Sequence, residues 1–244
     1  MKKVIVYTCC LFAMLLSFLL SVSTSVSAVE NYDSGFITTT MFDEAASQFL
    51  ADIDLKLSDT IVENAMISSF DVSPSGMIAI AFNTGSEKAI NVIDQNGVYQ
   101  YGYTFQCDGK YGVDWCGQNL AICFVRYNVV AIFDASGVCI SIERIDDTLI
   151  DSAAHNNSYW NSNIFADCLE HNNVRYELKG IFGTLRFANS KLIATTESGT
   201  ANVLYDASIY ELLAIFLFVA AFSVPIVIVV ITIVKHLNTL STTN

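Results

Sequence analysis

The residues of this chain that could carry out acid–base chemistry are few and lie in its second half. His155 stands near Asp151 in a polar stretch, and a histidine beside a carboxylate is a pair that acid–base catalysis uses. Such chemistry also needs a nucleophile or a water molecule within about 3 Å, and no motif supplies one. We therefore interpret His155 as a solvent-exposed side chain and predict no catalytic residue and no cofactor.

Two short patterns could be fragments of metal sites. Cys168 and His171 have half of a zinc-site spacing, but no second Cys/His pair follows them. The segment Asp94 to Gly97 begins like a calcium loop and lacks the bidentate Glu that would complete it. The sequence predicts no metal site.

Three carboxylates precede glycine turns, at Asp94, Asp134 and Glu197. A carboxylate in that position typically accepts hydrogen bonds from nearby backbone amides, so we predict a structural role in each turn. Asn96-Gly97 favours a type I′ turn, because both central residues of that turn need positive φ.

Other polar and aromatic features leave two interpretations open. Asn156-Asn157-Ser158 is a glycosylation sequon that would matter only in a eukaryotic secretory pathway. Trp115, Trp160 and the tyrosines could form an aromatic binding surface, or be ordinary strand residues.

The elements that must position these residues are mostly β-strands. An apolar stripe within Thr40 to Leu57 first predicts one amphipathic helix, with a capping box at Thr40 to Asp43. From Met66 the period changes to two, which predicts strands. The predicted strands are Ile67 to Val72, Met77 to Phe82, Ala89 to Asp94, Val98 to Phe105, Tyr111 to Trp115, Asn119 to Val125, Val129 to Asp134 and Val138 to Ile142.

These strands form two similar sets. Ala89 to Val98 corresponds to Val129 to Val138 at a spacing of 40 residues, the size of a four-stranded propeller blade. A third, partial copy occurs at Leu192 to Leu204. The stretch Asp146 to Asn173 between them is interpreted as an irregular insertion or a short helix. The predicted fold is mainly β, with two full blades and one partial blade.

The segment from Phe70 to Gly76, followed by Ile78-Ala79-Ile80, resembles the opening of blades in WD40-like and NHL-like propellers. It is also similar to blades in uncharacterised single-span membrane proteins of Gram-positive bacteria. The resemblance covers Met66 to Ile145 and rests mostly on turn residues, so no family site residue is carried over. Fewer than four blades do not close a propeller, which leaves an open stack or completion by another copy.

Both ends of the chain are apolar. Lys2 and Lys3, the apolar run Val4 to Leu20, and Val26-Ser27-Ala28 predict a signal peptide over 1–28, cleaved after Ala28; an uncleaved anchor is the alternative. Leu212 to Val234 is uncharged and has 17 Leu, Ile, Phe or Val residues among its 23, enough to span a membrane as one helix.

The predicted organisation is therefore a helical segment over 29–65, a β-rich domain over 66–208, a transmembrane helix over 209–234 and a cytoplasmic tail over 235–244. Lys235 after the apolar run places the C-terminus in the cytoplasm and the β-rich domain outside it. That domain with its helical segment has 23 acidic and nine basic residues, a formal charge of −14, which disfavours nucleic-acid partners.

Five cysteines follow the signal segment, and an odd number leaves at least one without a partner. Cys107 and Cys116 border a short connection and are the preferred disulfide pair. Cys123 and Cys139 lie in apolar strand patterns and are interpreted as small hydrophobic residues.

Three classes of function are consistent with these features. We expect a membrane-anchored, extracytoplasmic interaction module that binds a protein or peptide, with lipid contacting Leu212 to Val234. The alternatives are a homo-oligomeric structural surface protein, and an extracytoplasmic hydrolase using Asp151 and His155.

Overall fold

A computed structural model describes residues 38–145, 163–181, 188–221, 223 and 232–233. Helix α1 is Asp43–Ile53, and 3-10 turns lie at Val125–Tyr127 and Asn163–Phe165. A C-terminal helix occupies residues 208–221. The strands are β1 Thr38–Thr40, β2 Lys56–Ser58, β3 Ile67–Val72, β4 Ile78–Phe82, β5 Glu87–Ile93, β6 Tyr99–Gln106, β7 Tyr111–Cys116, β8 Asn119–Phe124, β9 Val129–Phe133, β10 Cys139–Ile145, β11 Cys168–His171, β12 Val174–Lys179, β13 Lys191–Thr196 and β14 Ala201–Asp206.

These strands form three antiparallel sheets, each containing a four-stranded meander. Sheet I has the order β2-β6-β5-β4-β3, sheet II the order β1-β10-β9-β8-β7, and sheet III the order β11-β12-β13-β14. The mainly β prediction is confirmed, and the sheets are compatible with propeller-like blades. The third sheet has four strands, so it is more complete than the partial copy that the sequence indicated.

Sheet I lies between the other two and is buried on both faces. One face packs with α1 and sheet II around Tyr103, Phe105 and Phe124. The other packs on sheet III, where the Phe82 and Tyr205 rings lie 5.0 Å apart between centroids. Burial on both faces explains why all five residues of β4 are buried and why its sequence is continuously apolar.

The first strands of the three sheets contact one another, since β3 lies against both β7 and β11. The β3 and β7 strands run side by side in the same direction: Ser69 Oγ accepts from Val113 N at 3.1 Å, and Asp71 Oδ2 accepts from Trp115 N at 2.8 Å. We call the three sheets together the β-body. Its upper end is the end at which β3, β7 and β11 finish, and its lower end is the opposite one. The Asn163–Phe165 turn packs near the lower end, against the start of β7.

Equivalent hairpins repeat one hydrogen-bond pattern. Asp94 N donates to Val98 O at 2.9 Å and Gly97 N donates to Asp94 O at 3.0 Å; the two corresponding bonds at Asp134 are both 3.0 Å. Only the glycine of each turn has positive φ, 82° at both Gly97 and Gly137. The type I′ prediction for Asn96-Gly97 is therefore wrong. The reason is that the Asp94 carboxylate accepts from Asn96 N and Val98 N, both at 2.9 Å, which fixes a different turn.

A two-residue hairpin lies where the sequence predicted an irregular stretch. Asn172 and Asn173 have φ of 49° and 62° and join β11 to β12, with His171 opposite Val174. Positive φ at both central residues is the type I′ arrangement. The interpretation of the end of Asp146 to Asn173 as irregular is corrected, because it contains β11.

The N-terminal segment covers the outer edges of sheets I and II. The β1 strand pairs with β10, and β2 pairs with β6, both antiparallel. The predicted helix between them is confirmed over Asp43–Ile53, with Ala46, Phe49 and Ile53 buried. The predicted capping box is wrong: Phe42 is the N-cap, without a side-chain cap, because Thr40 belongs to β1.

The C-terminal helix begins at the lower end, directly after β14. Glu211 holds its first turn to sheet III, since its Oε2 accepts from Ser190 Oγ at 2.5 Å and from Ile181 N at 2.9 Å. Its buried Oε1 has no hydrogen-bond partner. Beyond Glu211 the helix exposes large apolar side chains, including Leu213, Phe216 and Leu217.

No helix within the described ranges reaches the length and apolarity that crossing a membrane requires. The predicted signal peptide over 1–28 lies outside the described residues. Most of the second half of the predicted membrane helix, Leu212 to Val234, also lies outside the described residues, as does the tail over 235–244.

Candidate binding face at the upper end

Polar side chains from all three sheets lie close together at the upper end, and we call the surface that they form the upper face. Asp71 is the second-last residue of β3, Asp114 and Trp115 lie near the end of β7, and His171 ends β11. Alternation along β3 turns Phe70 and Val72 into the apolar core and leaves Asp71 beside the neighbouring strand. The parallel arrangement of the inner strands thus brings residues from distant parts of the sequence to one place.

Asp71 and Asp114 form a hydrogen-bonded carboxyl pair. Burial raises the pKa of Asp71, although hydrogen bonds from Asp114 and from the amides of Val72 and Trp115, and attraction to His171, act in the opposite direction. Two carboxyl groups in contact cannot both ionise easily, so the pair retains a proton more readily than an isolated aspartate. Trp115 N also donates to Asp114 Oδ1 at 2.8 Å, which fixes the pair to the β7 backbone.

Trp115 forms one side of this face. Its indole Nε1 donates to Asp71 O at 3.3 Å, and the side chain is half-buried against the core between sheets I and II. Ser75, in the turn between β3 and β4, donates from Oγ to Oε1 of Gln118, in the turn between β7 and β8, at 3.0 Å. This bond connects sheets I and II. The face therefore combines negative charge, an aromatic side chain and exposed amide and hydroxyl groups.

Such an arrangement can recognise a ligand. A half-exposed aromatic ring with nearby carboxyls is suited to basic or polar side chains of a partner. Within the part of the chain that the structure describes, no group of three His, Cys, Asp or Glu side chains could hold a metal ion.

The predicted turn carboxylates lie away from this pair, in the outer hairpins. Asp94 and Asp134 accept backbone hydrogen bonds, as predicted. A hydrogen bond from Ser136 Oγ at 2.6 Å, with the Val138 amide, lowers the pKa of Asp134. The structural role predicted for Glu197 is wrong: Thr196, one residue earlier, occupies the position equivalent to Asp94, and its carbonyl accepts from Gly199 N at 2.9 Å.

The structure places Cys168 and His171 where they could not bind one metal ion together. They are three residues apart in β11, and residues at that spacing point to opposite faces of a strand. His171 Nε2 instead lies 2.9 Å from Asn172 Nδ2.

The preferred disulfide Cys107–Cys116 is not formed, since none of the five cysteines after the signal segment belongs to a disulfide. Cys107 precedes β7 at the lower end and Cys116 ends it at the upper end. A six-residue strand separates them by about 20 Å, beyond the reach of a disulfide. Burial raises the pKa of the Cys107 thiol. Cys123 is buried, as predicted, and Cys139 is half-buried.

Asp151, His155, Trp160 and the sequon Asn156-Asn157-Ser158 lie outside the described residues. Sequence reasoning missed the Asp71–Asp114 pair because each aspartate looks like an ordinary polar residue of an alternating strand. The available signal was their similar position, near the end of the first strand of two successive copies.

Comparison with known proteins adds no relative to this description: no protein-family model, no curated protein and no solved structure matches the chain.

Proposed function

We propose that this protein is a membrane-anchored, extracytoplasmic interaction module whose propeller-like β-body binds a protein or peptide. The observation that carries the proposal is the placement of two unlike surfaces at opposite ends. The polar face around Asp71, Asp114 and Trp115 lies at the upper end. The C-terminal helix, with its exposed Leu213, Phe216 and Leu217, leaves from the lower end.

The direction of the strands supports this placement. In each meander the first and third strands run towards the upper end, so β14, a fourth strand, runs towards the lower end. The C-terminal helix begins two residues after β14. If that helix continues into a bilayer as the apolar sequence up to Val234 predicts, the upper face points away from the lipid and towards a partner.

Glu211 supports the anchoring half of the proposal. It ties the first turn of the helix to Ser190 and Ile181 of the β-body through a side chain that is only 1% exposed. The β-body would thus sit directly on its anchor, without a flexible linker. The resemblance to WD40-like and NHL-like blades, and the formal charge of −14, favour a protein or peptide partner with basic groups.

The test compares two identical substitutions at opposite ends. Gln118→Arg adds bulk and positive charge to the upper face, and Gln106→Arg makes the same change at the lower end of β6; both side chains are exposed. Crosslinking in native membranes should capture a partner with the wild type and with Gln106→Arg, and lose it with Gln118→Arg. Equal capture by both variants, or recovery of this chain alone, would contradict binding at the upper face.

Anchoring is tested separately by alkaline carbonate extraction of membranes. The full-length protein should remain in the pellet, and Phe216→Asp combined with Leu217→Asp should increase the extracted fraction. Release of the unaltered protein would contradict the anchor.

A further inference from the structure

The outer edge of sheet III differs from the outer edges of sheets I and II. In sheet I the last strand of the meander, β6, is covered by β2, and in sheet II the last strand, β10, is covered by β1. In sheet III the last strand is β14, and no strand of the described residues pairs with its outer side. Two equivalent edges therefore hold a fifth strand, and the third has none among the residues that the structure describes.

The β14 edge is available for backbone pairing. Ala201, Asn202 and Val203 are all exposed, and Val203 retains 51% of its accessible surface. Thr196 N donates to Thr200 O at 3.0 Å, so the backbone groups of these two residues point towards each other. Hydrogen-bonded and non-hydrogen-bonded pairs alternate in an antiparallel ladder. The amide and carbonyl groups of Ala201 and Val203 therefore point away from β13, towards solvent.

The sequence of this edge lacks the charges and prolines that normally prevent pairing. Its register shift between Val203 and Tyr205 is not a barrier of that kind, since β6 and β10 carry the same irregularity and still pair with a fifth strand. Exposed edges are usually protected by a lysine, a proline or an inward-pointing charge. From Ala201 to Tyr205 the strand has no charge and no proline. Its one charged residue, Asp206, is neutralised across the sheet by Lys191 Nζ at 3.1 Å.

We propose that the β14 edge is a docking site for an extended peptide segment of another protein, which adds to sheet III as a fifth, antiparallel strand. Antiparallel addition follows β1 and β2, which pair in that sense with β10 and β6. Main-chain hydrogen bonds to Ala201 and Val203 would supply the register. This second contact site lies outside the upper face.

The peptide chemistry follows from the strands that fill the equivalent edges. Those are Thr-Thr-Thr in β1 and Lys-Leu-Ser in β2, short and without acidic residues. In sheet I, Leu57 of β2 lies against Gly137 in the outer turn of sheet II. The matching turn, which contains Gly97, lies against Leu204 of β14 itself, so that position in sheet III is already filled. By analogy with β1 and β2, an uncharged or basic segment is the expected ligand.

A second copy of this chain does not fit the edge as well. Two β14 strands paired by a twofold axis run antiparallel, so the helices that follow them leave in opposite directions. Both helices could not then enter one membrane. This exclusion rests on the proposed anchor, whereas the open edge itself does not.

The test uses the full-length protein in mild detergent and an acetylated, amidated probe peptide of sequence TKVTVTK. Hydrogen–deuterium exchange should slow at Ala201 and Val203, whose amides point outward, by about tenfold at a peptide concentration ten times Kd. Val203→Pro should abolish the protection, because it removes an outward amide, and proline is tolerated at a sheet edge. Val203→Thr keeps the amide and should bind like the wild type.

Three outcomes would overturn the inference. One is unchanged exchange of wild-type β14 at peptide concentrations up to millimolar, a result that needs no variant to fold. Another is protection that appears only elsewhere in the chain. The third is concentration-dependent dimerisation that Val203→Pro removes, which would give the edge to a second copy.

Failure here is distinguishable from failure of the proposed function. If a membrane partner is lost with Gln118→Arg while β14 stays unprotected by the peptide, the interaction module stands and the docking edge does not. If the peptide protects β14 while no partner depends on Gln118, the docking edge stands and the upper face does not.

Discussion

Sheets I and III share the same four-stranded meander but have different surroundings. Sheet I is covered on both faces and at its outer edge, and every residue of β4 is buried. Sheet III packs one face on sheet I, and of the six residues in β14 only Tyr205 is buried. The central sheet therefore has the more extensively buried core of the two, whereas the peripheral sheet, within the described residues, leaves the outer side of β14 unpaired.

The largest effect should come from opening the contact between these sheets. Phe82→Ala removes a fully buried ring, so the free energy of unfolding should fall by about 3–5 kcal/mol. Val203→Ala on the edge of sheet III should change it by about 0.5 kcal/mol or less. Urea unfolding of the full-length protein in mild detergent, followed by tryptophan fluorescence, measures both. Similar values for the two variants would contradict the central role of sheet I.

A second, smaller difference should separate two buried tyrosines. The Tyr111 hydroxyl accepts from Phe82 N at 3.0 Å and lies 2.8 Å from Phe82 O and 2.7 Å from Ala89 O, fully inside sheet I. Tyr205 makes two such bonds from sheet III, to the Ala65 amide at 2.9 Å and carbonyl at 2.7 Å, but its side chain is less deeply buried, with 9% of its surface exposed against 2% for Tyr111.

Tyr111→Phe should therefore lower the free energy of unfolding by about 1–3 kcal/mol, since it leaves buried polar groups unpaired. Tyr205→Phe should cost about 1 kcal/mol, because water can replace part of the lost bonding. Burial raises the pKa of both hydroxyls, that of Tyr205 to about 12, so neither side chain ionises in the measurement. A larger loss for Tyr205→Phe would reverse the comparison.

The free energy of unfolding should also depend on pH through Asp71, which lies in the upper face. Because burial raises the pKa of Asp71 in the folded state, its protonation favours folding. This contribution is fully present below the unfolded pKa of about 4 and is lost as the pH rises through the higher folded value. The stability of the wild type relative to Asp71→Asn should therefore decrease as pH rises from about 4 towards neutrality.

Urea unfolding of both proteins across that pH range measures the difference. Asp114→Asn serves as the partner control: its amide can still donate to Asp71, and burial, the largest cause of the raised pKa, is unchanged, so the decrease with pH should persist. A relative stability that is flat, or that rises with pH, would show that Asp71 is not the group retaining the proton.

The smallest effect should come from making sheet III more like sheet I. Thr196 occupies the turn position that Asp94 holds in sheet I, where a carboxylate accepts two amide hydrogen bonds. Thr196→Asp should raise the free energy of unfolding by about 0.5 kcal/mol. The same substitution at Thr195, which precedes the turn, is the control and should not stabilise. A destabilised Thr196→Asp would show that the turns of the two sheets are not equivalent.

The sequence predicted the strands of sheets I and II well because their cores impose a clear pattern. The β3 strand was predicted with its observed bounds, and β4 to β10 within a few residues. Alternating or continuous apolar residues between glycine turns gave each strand a recognisable beginning and end. The repeat of about 40 residues arose because the Asp94 and Asp134 turns perform the same hydrogen bonding.

The missed elements are those whose stability comes from a partner strand. The Thr38–Thr40 and Lys56–Ser58 strands are three residues long and mostly polar, and they exist because β10 and β6 offer free edges. β11 was missed because its hairpin turn is Asn172-Asn173, without the glycine that marks the other turns. The candidate site was unpredictable for a related reason, since Asp71 and Asp114 meet only through the packing of inner strands.

Local residue patterns specify the order of elements in this protein: apolar ends, one amphipathic helix, and strands of period two separated by glycine turns. These follow from side-chain periodicity and backbone preference, which act over a few residues. The folded chain alone sets the central place of sheet I, the contact of Asp71 with Asp114, and, among the described residues, the unpaired outer side of β14. Those properties depend on contacts between residues far apart in the chain, which no local pattern encodes.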